Sequence, residues 1–325
     1  MRVAVAGAGG LTPDGRRKVL AQEKDIAIIV PAYNASDTIR ETLESIQTQQ
    51  SGLDRVSCVV LADDHSSDDT TAVARSCWTS QVPLKLSRNS KNNGERTTVN
   101  DAVKALSDTV NWFFILHADD LAKPNWLEVM LRAIDRAPTR TVSFTASYDV
   151  LFPDGRIIEG DNSGEARKVV IEGTPLNIRD TLKRGCWFKI SSCAIRVSAF
   201  RDLSGFMPDM PQSGDWDFVL RVLRAGWAIE YIALCLSVYR QTTQSVSSKS
   251  FREHRDVTEA LLILDRFREF LSLRDMTIRH VYYLYTLGRR AGASVVRGDF
   301  ERLGLAGAVG ARIAVSLCRN CFRSR

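Results

Sequence analysis

Three short stretches of the chain concentrate acidic side chains: Ala62 to Thr70 (ADDHSSDDT), His117 to Asp120 (HADD) and Gly214 to Asp217 (GDWD). Carboxylates crowded against apolar segments repel one another unless a cation joins them, so their convergence would make a divalent-metal site. Taken singly, each stretch has a plainer use as a helix N-cap, and Asp68 or Asp69 suits that use. Taken together, and with VPAYN (Val30 to Asn34) ahead of the first helix, capping does not account for them. On a helix opening at GDWD, positions i and i+2 do not share a face, so Asp215 and Asp217 cannot both point into one pocket.

The elements that must position these stretches follow an α/β alternation. From Asp25 onward, short apolar runs alternate with amphipathic ones, the pattern of strands and crossover helices. Strands are predicted at Asp25 to Val30 (DIAIIV), Val56 to Leu61 (VSCVVL), Leu84 to Leu86 and Trp112 to Leu116 (WFFIL). After the first strand, Thr38 and Glu41 have capping-box spacing, and Ile39, Leu43 and Ile46 recur on one helical face. A second helix is expected to open near Asp68, and a third carries Val99, Val103 and Leu106. Three βα units feeding a fourth strand predict a parallel sheet, whose ligands bind beyond the carboxyl ends of the strands. Two of the acidic stretches fall at such ends. Beyond Pro124 the pattern predicts a helix with Trp126, Leu127, Met130 and Ile134, then a strand-like run from Thr141 to Phe152 closed by the turn Pro153, Asp154, Gly155. A strand and short helix are expected within Gly185 to Phe206, a helix over Asp215 to Ala225, a strand over Ala228 to Leu236, and two or three helices from Lys249.

The composition limits the alternatives. The chain has 325 residues, 44% apolar and 25% charged, with a mean hydropathy of -0.14, values typical of globular enzymes. Its seven cysteines (58, 77, 186, 193, 235, 318 and 321) have no framework spacing and read as reduced thiols in a reducing, cytoplasmic setting. The Cys318, Cys321 pair has zinc-like spacing but no second pair to complete a site. The formal charge is +6, and the excess lies at the end. From Arg240 to Arg325 there are 16 Lys/Arg against 8 Asp/Glu. That tail shows no aromatic-interleaved basic motif, so nucleic acid is not an expected partner. Arg302, Arg312, Arg319 and Arg323 stand among apolar residues and could lie on an anionic membrane surface, although a solvated helix packed on the core is the preferred reading. No stretch has the ~18 apolar residues of a membrane span. The Gly7 to Gly10 cluster lacks the third glycine of a dinucleotide fingerprint and reads as part of a flexible leader. The expected organisation is a leader (1–24), one catalytic domain (25–248) and a basic helical extension (249–325).

Six segments in order, IIVPAYN (Ile28 to Asn34), ADDHSSDDT, NNGERTTVN (Asn92 to Asn100), HADD, GDWDFVLRVLRAG (Gly214 to Gly226) and YRQTTQSVS (Tyr239 to Ser247), resemble the family 2 glycosyltransferases. The resemblance spans Asp25 to about Ser247. It implies a GT-A-like α/β fold, Rossmann-like, with a mostly parallel sheet flanked by helices. The implied activity is inverting, metal-dependent transfer from a nucleoside-diphosphate sugar, a UDP-sugar by preference, to a hydroxyl of a saccharide or lipid-linked acceptor in cell-surface polysaccharide or glycolipid synthesis. Two rivals stand beside it: a nucleotide-sugar binder without turnover, and another nucleotide-sugar enzyme such as a sugar nucleotidyltransferase, whose Gly-rich, Arg-bearing loop is replaced here by VPAYN.

By the same resemblance Pro31 and Ala32 lend backbone groups to the nucleoside and Tyr33 packs on the base. Asp64 accepts the uracil imide N–H with Asp63 in support, a sensible reader of a pyrimidine edge. Asp119 lies near the ribose or bridges to the metal, and Asp120 ligates Mg²⁺ or Mn²⁺. His117 stands where an aspartate is usual, and reads as a hydrogen-bonding residue in preference to a ligand. Gly94 lets the backbone approach the ligand. Arg96 either reaches the phosphates or is a solvated helix charge. Arg240 belongs to a loop closing on the diphosphate, in which Thr242 replaces the usual histidine. Asp215 is the implied catalytic base, expected to be ionised and only weakly basic because a helix N-terminus lowers a carboxylate's pKa. Gly214 replaces the acidic first member of the usual pair. Asp149 and Asp154 could line the acceptor side, but a hairpin explains them better.

Overall fold

The computed structural model describes residues 24–163, 169–242 and 246–296. The leader up to residue 23, the Gly7 to Gly10 cluster, both tail cysteines and the tail arginines Arg302, Arg312, Arg319 and Arg323 lie outside the described residues. The first strand, β1 (Ile26–Ala32), is buried along its whole length, as a parallel strand covered on both faces must be. Its side chains alternate between two cores: Ala27 and Ile29 join one, Ile26, Ile28 and Val30 the other. The next elements are α1 (Ile39–Gln47), β2 (Val56–Asp63), α2 (Thr70–Cys77), β3 (Leu84–Arg88), α3 (Glu95–Lys104) and β4 (Trp112–Ile115). These strands lie parallel in the order β3-β2-β1-β4, so the strand order reverses between β1 and β4. Such a switch point opens a crevice beyond the carboxyl ends.

The second half adds β5 (Leu121–Ala122), α4 (Trp126–Arg136), β6 (Thr141–Leu151), β7 (Ile157–Ile158), β8 (Val169–Glu172), α5 (Pro175–Arg184), β9 (Ala194–Arg196), α6 (Val197–Asp202), α7 (Gly214–Arg224) and β10 (Ala228–Arg240). Strand β9 runs antiparallel to both β4 and β6, β6 pairs parallel with β10, and β5 and β8 pair antiparallel with β10. The sheet is therefore mixed beyond β4. Strands β5, β7 and β8 and helix α5 were not expected; three are too short or too exposed to show a period.

One local expectation needs correction. The capping box at Thr38 and Glu41 does not form. Thr38 Oγ1 instead donates to the Ala118 carbonyl at 2.9 Å, and the Glu41 carboxylate pairs with Arg240. Helix α2 opens at Thr70, near Asp68 as expected. Asp68 supports that end, accepting from the Thr70 N–H at 3.1 Å and the Ser36 N–H at 3.0 Å, while Asp69 makes no side-chain cap.

The C-terminal part comprises α8 (Val246–Arg252), α9 (Arg255–Arg266) and α10 (Leu273–Val296). Helix α9 is not detached, since Ala260, Ile263 and Leu264 belong to the core that also holds Phe218 and Leu220 of α7. Its Glu259 carboxylate accepts the Gln212 and Ser213 N–H groups at 3.0 and 2.7 Å. The start of α7 is thus capped from another helix, which supplies the acceptors that orphan N–H groups require.

Candidate functional site

Strands β1 and β2 deliver the first group of residues. Pro31 and Ala32 are buried at the end of β1, and their carbonyls accept from the Ala118 and Asp64 N–H groups at 3.3 and 2.8 Å. Tyr33, the next residue, is 53% exposed. Asp63 Oδ1 accepts from the Ser66 N–H at 3.1 Å and from its hydroxyl. Its Oδ2 is buried without a hydrogen bond and forms an ion pair with Arg88, 3.3 Å from Nε. The Asp64 carboxylate is heavily engaged, with Oδ1 accepting from Asn89 Nδ2 and the Asn93 N–H, both at 2.8 Å, and Oδ2 from the Gly94 N–H at 2.8 Å. Asp64 therefore organises the loop that leads into α3. Gly94 itself has φ +86°, with open space where a Cβ would stand, a conformation that favours glycine.

HADD follows β4 across the crevice. Asp120 is fully buried. Its Oδ1 accepts from the Arg240 N–H at 3.0 Å and its Oδ2 from Lys189 Nζ at 3.3 Å. Desolvation and then the neighbouring Asp120 charge raise the Asp119 carboxyl, a repulsion that a cation would relieve. His117 Nε2 is buried with no hydrogen-bond partner, 3.4 Å from Glu95 Oε1. His117, Asp119 and Asp120 each place one donor atom within 4.8 Å of the others. One imidazole nitrogen and two carboxylate oxygens suit Mn²⁺ or Mg²⁺. The donor set therefore fits a divalent cation, and His117 is brought among the donors where the sequence suggested a supporting role.

Glu95 and Arg96 open α3 and complete this polar centre. Burial alone would raise the Glu95 carboxyl, but the His117 and Arg96 charges hold it at about 2. Burial would likewise lower His117, yet Glu95 and then Asp120 and Asp119 raise it. Arg96 is neither solvated nor free to swing. It is 6% exposed, with Nη1 3.1 Å from Glu95 Oε1 and Nη2 donating to the Pro211 carbonyl at 3.3 Å. Its Nε is buried without a partner and lies 2.9 Å from the place a Cβ on Gly214 would take. The glycine that replaces the usual acidic residue thus makes room for a guanidinium.

Asp215 and Asp217 part company as the helical geometry requires. Asp217 is fully buried, receiving Arg221 Nε at 2.6 Å and Arg266 Nη1 at 2.5 Å. Asp215 faces Arg96, Glu95 and Cys186. Its carboxyl is raised, because desolvation outweighs the Arg96 charge and the Trp216 N–H. The expectation of a weakly basic Asp215 is therefore wrong: burial prevails over the helix terminus. Arg240 Nε donates to the Asp119 carbonyl at 3.1 Å and its guanidinium pairs with Glu41, so it buttresses HADD. Asp149 bonds Lys123 Nζ at 2.6 Å and the Gly160 N–H at 3.1 Å. Asp154 caps its own turn through the Arg156 N–H. Sequence reasoning missed Glu95 and Lys189. Glu95 lay inside a segment already singled out, whereas Lys189 belongs to no motif.

This architecture is the GT-A fold. S. aureus TarS, solved with UDP-GlcNAc, superposes with a TM-score of 0.60 at 18% identity over 88% of this chain and 79% of that one. A mannosyltransferase from Pyrobaculum calidifontis, solved with GDP-Man and Mn²⁺, gives 0.56 at 17% identity over 92% and 83%. The chain belongs to glycosyl transferase family 2, whose sequence pattern matches residues 27–204. Succinoglycan biosynthesis protein ExoO of Rhizobium meliloti is 29% identical over 45% of this chain and 39% of its own length. An uncharacterized glycosyltransferase of Rickettsia bellii is 24% identical over 73% of this chain and 32% of its own. The chain thus spans well under half the length of these curated relatives.

Proposed function

We propose that the protein transfers a sugar from a UDP-sugar to a hydroxyl of a saccharide or lipid-linked acceptor, with inversion at the anomeric carbon and with Mg²⁺ or Mn²⁺ as cofactor. The observation that carries this reading is the convergence, at the carboxyl edge of one sheet, of the Asp63, Asp64 pair, the His117, Asp119, Asp120 donor set and the desolvated Asp215. Asp64 Oδ2, with one hydrogen bond, is the acceptor left for an imide N–H, while Asp63 Oδ2 lies 3.3 Å from Arg88 Nε. Tyr33, exposed beside them, packs on the base. Asp119 and Asp120 hold the cation, which when bound offsets the charge of the departing diphosphate as a Lewis acid.

Asp215 takes the acceptor proton as the acceptor oxygen bonds to the anomeric carbon and the bond to the diphosphate breaks. Its raised pKa suits a base working near neutrality better than an ordinary carboxylate. Complexes of S. aureus TarS with UDP-GlcNAc and UDP support the uridine assignment, the Mn²⁺ in the mannosyltransferase supports the metal, and the role named for ExoO supports polysaccharide synthesis. Thermal-shift measurements with UDP, GDP and their sugars, with and without MnCl₂, test the reading, because a ligand of the folded state raises its stability. UDP should stabilise the protein more with Mn²⁺ present. A preference for guanine nucleotides removes the base assignment, and equal shifts in excess chelator remove the metal.

We also propose cytoplasmic location with peripheral contact at the inner face of the membrane. Among the described residues no helix is long and apolar enough to cross a bilayer. Helix α10 exposes Leu273, Ile278, Val281, Tyr282, Leu284 and Tyr285. Arg274 and Arg289 are also exposed, while Asp275 is buried. An apolar, basic face of this kind suits an anionic lipid surface. Sedimentation with phosphatidylglycerol but not phosphatidylcholine vesicles is the expected result; binding to neither removes the contact.

A further inference from the structure

Lys189 stands in the loop between α5 and β9, and is anchored at both ends. Its backbone N–H donates to Thr145 Oγ1 at 3.1 Å, and its carbonyl accepts from the same hydroxyl at 3.0 Å. The ammonium lies 3.7 Å from the Tyr239 ring centroid and 4.9 Å from that of Tyr148, and 3.3 Å from Asp120 Oδ2. Two aromatic faces attract a cation and fix its position, so this charge is not a floppy surface lysine. Its side chain is 14% exposed, against 0% for Asp120. Asp120 Oδ1 is already taken by the Arg240 N–H. A divalent cation approaching the other oxygen, Oδ2, meets the Lys189 ammonium there.

We infer that Lys189 competes with the divalent cation for Asp120 and, once a nucleoside diphosphate is bound, serves that ligand's phosphate oxygens. The inference rests on Asp120 as a metal ligand and goes beyond that reading by making Lys189 the residue that sets how strongly metal and nucleotide binding depend on each other. Without nucleotide, a fixed ammonium beside the carboxylates repels the incoming cation. With nucleotide present, the diphosphate offers both cations an anionic partner, and their repulsion is offset. Metal and nucleotide therefore strengthen each other's binding, by equal factors as linkage requires.

The test is titration of the full chain with MnCl₂, following free Mn²⁺ by electron paramagnetic resonance, with and without UDP. Lys189→Met should bind Mn²⁺ alone roughly five-fold or more tightly than the natural protein, and UDP should enhance its Mn²⁺ affinity less, on the scale of ordinary coupling between sites. Lys189→Arg, which keeps the charge, should behave as the natural protein. Melting curves of each variant establish that it is folded. Unchanged or weaker Mn²⁺ binding by folded Lys189→Met overturns the inference. Asp120→Asn separates it from the reading beneath: undiminished Mn²⁺ binding by that variant removes the metal site itself, whereas its loss together with unchanged binding in Lys189→Met removes the role of Lys189 alone.

Discussion

Gly214 and Arg96 are in close apposition: a Cβ on the glycine would stand 2.9 Å from Arg96 Nε. The guanidinium cannot easily retreat, because Glu95 and the Pro211 carbonyl hold its ends and the Phe206 ring lies 5.3 Å away. Gly214→Ala should therefore destabilise the fold by about 1–3 kcal/mol, the usual cost of overpacking. Combined with Arg96→Met, the loss should be less than the sum of the two, since the changes share one contact. Urea denaturation of the four proteins measures it; strict additivity would show that the apposition has no energetic consequence.

Asp215 should trade stability for function. A carboxyl whose folded pKa lies above its unfolded value, as desolvation makes it here, costs stability wherever the unfolded chain would ionise it. That cost is present above about pH 4 and fades as the pH falls below the unfolded pKa. Asp215→Asn should raise the melting temperature at neutral pH and lose that advantage in acid. It should also lower transfer by roughly two to four orders of magnitude, with nucleotide binding within a few-fold. Unimpaired transfer by this variant would remove the base assignment.

Asp217 lies two residues along the same helix and behaves oppositely. Its carboxylate joins Arg221 and Arg266 in a buried cluster, and breaking a buried pair from one side leaves uncompensated charge. Asp217→Asn should cost about 3–5 kcal/mol of stability. Because Arg266 belongs to α9 and Asp217 to α7, denaturation should then show weaker attachment of the C-terminal helices. A neutral result would mean that the two arginines find water instead.

Asp64 has both a loop to hold and, by our proposal, a base to read. Asp64→Ala removes three hydrogen bonds to the segment from Asn89 to Gly94, worth about 2–4 kcal/mol together at roughly 1 kcal/mol each. Hydrogen exchange at the Asn93 and Gly94 amides should quicken, and UDP binding should weaken. Loss of binding without faster exchange would assign Asp64 to the nucleotide alone.

The sequence by itself determined what depends on neighbours along the chain. The alternation in Ile26–Val30, the 3.6-residue rhythm of Ile39, Leu43 and Ile46, and the placing of acidic residues after β2 and β4 follow from local periodicity, which acts over a few residues. The separation of Asp215 from Asp217 was legible for the same reason. Tertiary structure alone decided the rest. Thr38 and Glu41 have a capping-box spacing, yet Ala118 and Arg240 claim them. Arg96 is buried because Gly214 vacates space for it. Lys189 reaches Asp120 across 69 residues, and Arg240 reaches it across 120. Desolvation and charge sum over whatever the fold packs nearby, irrespective of distance along the chain. That is why a helix terminus seemed to set the pKa of Asp215, and burial reversed it.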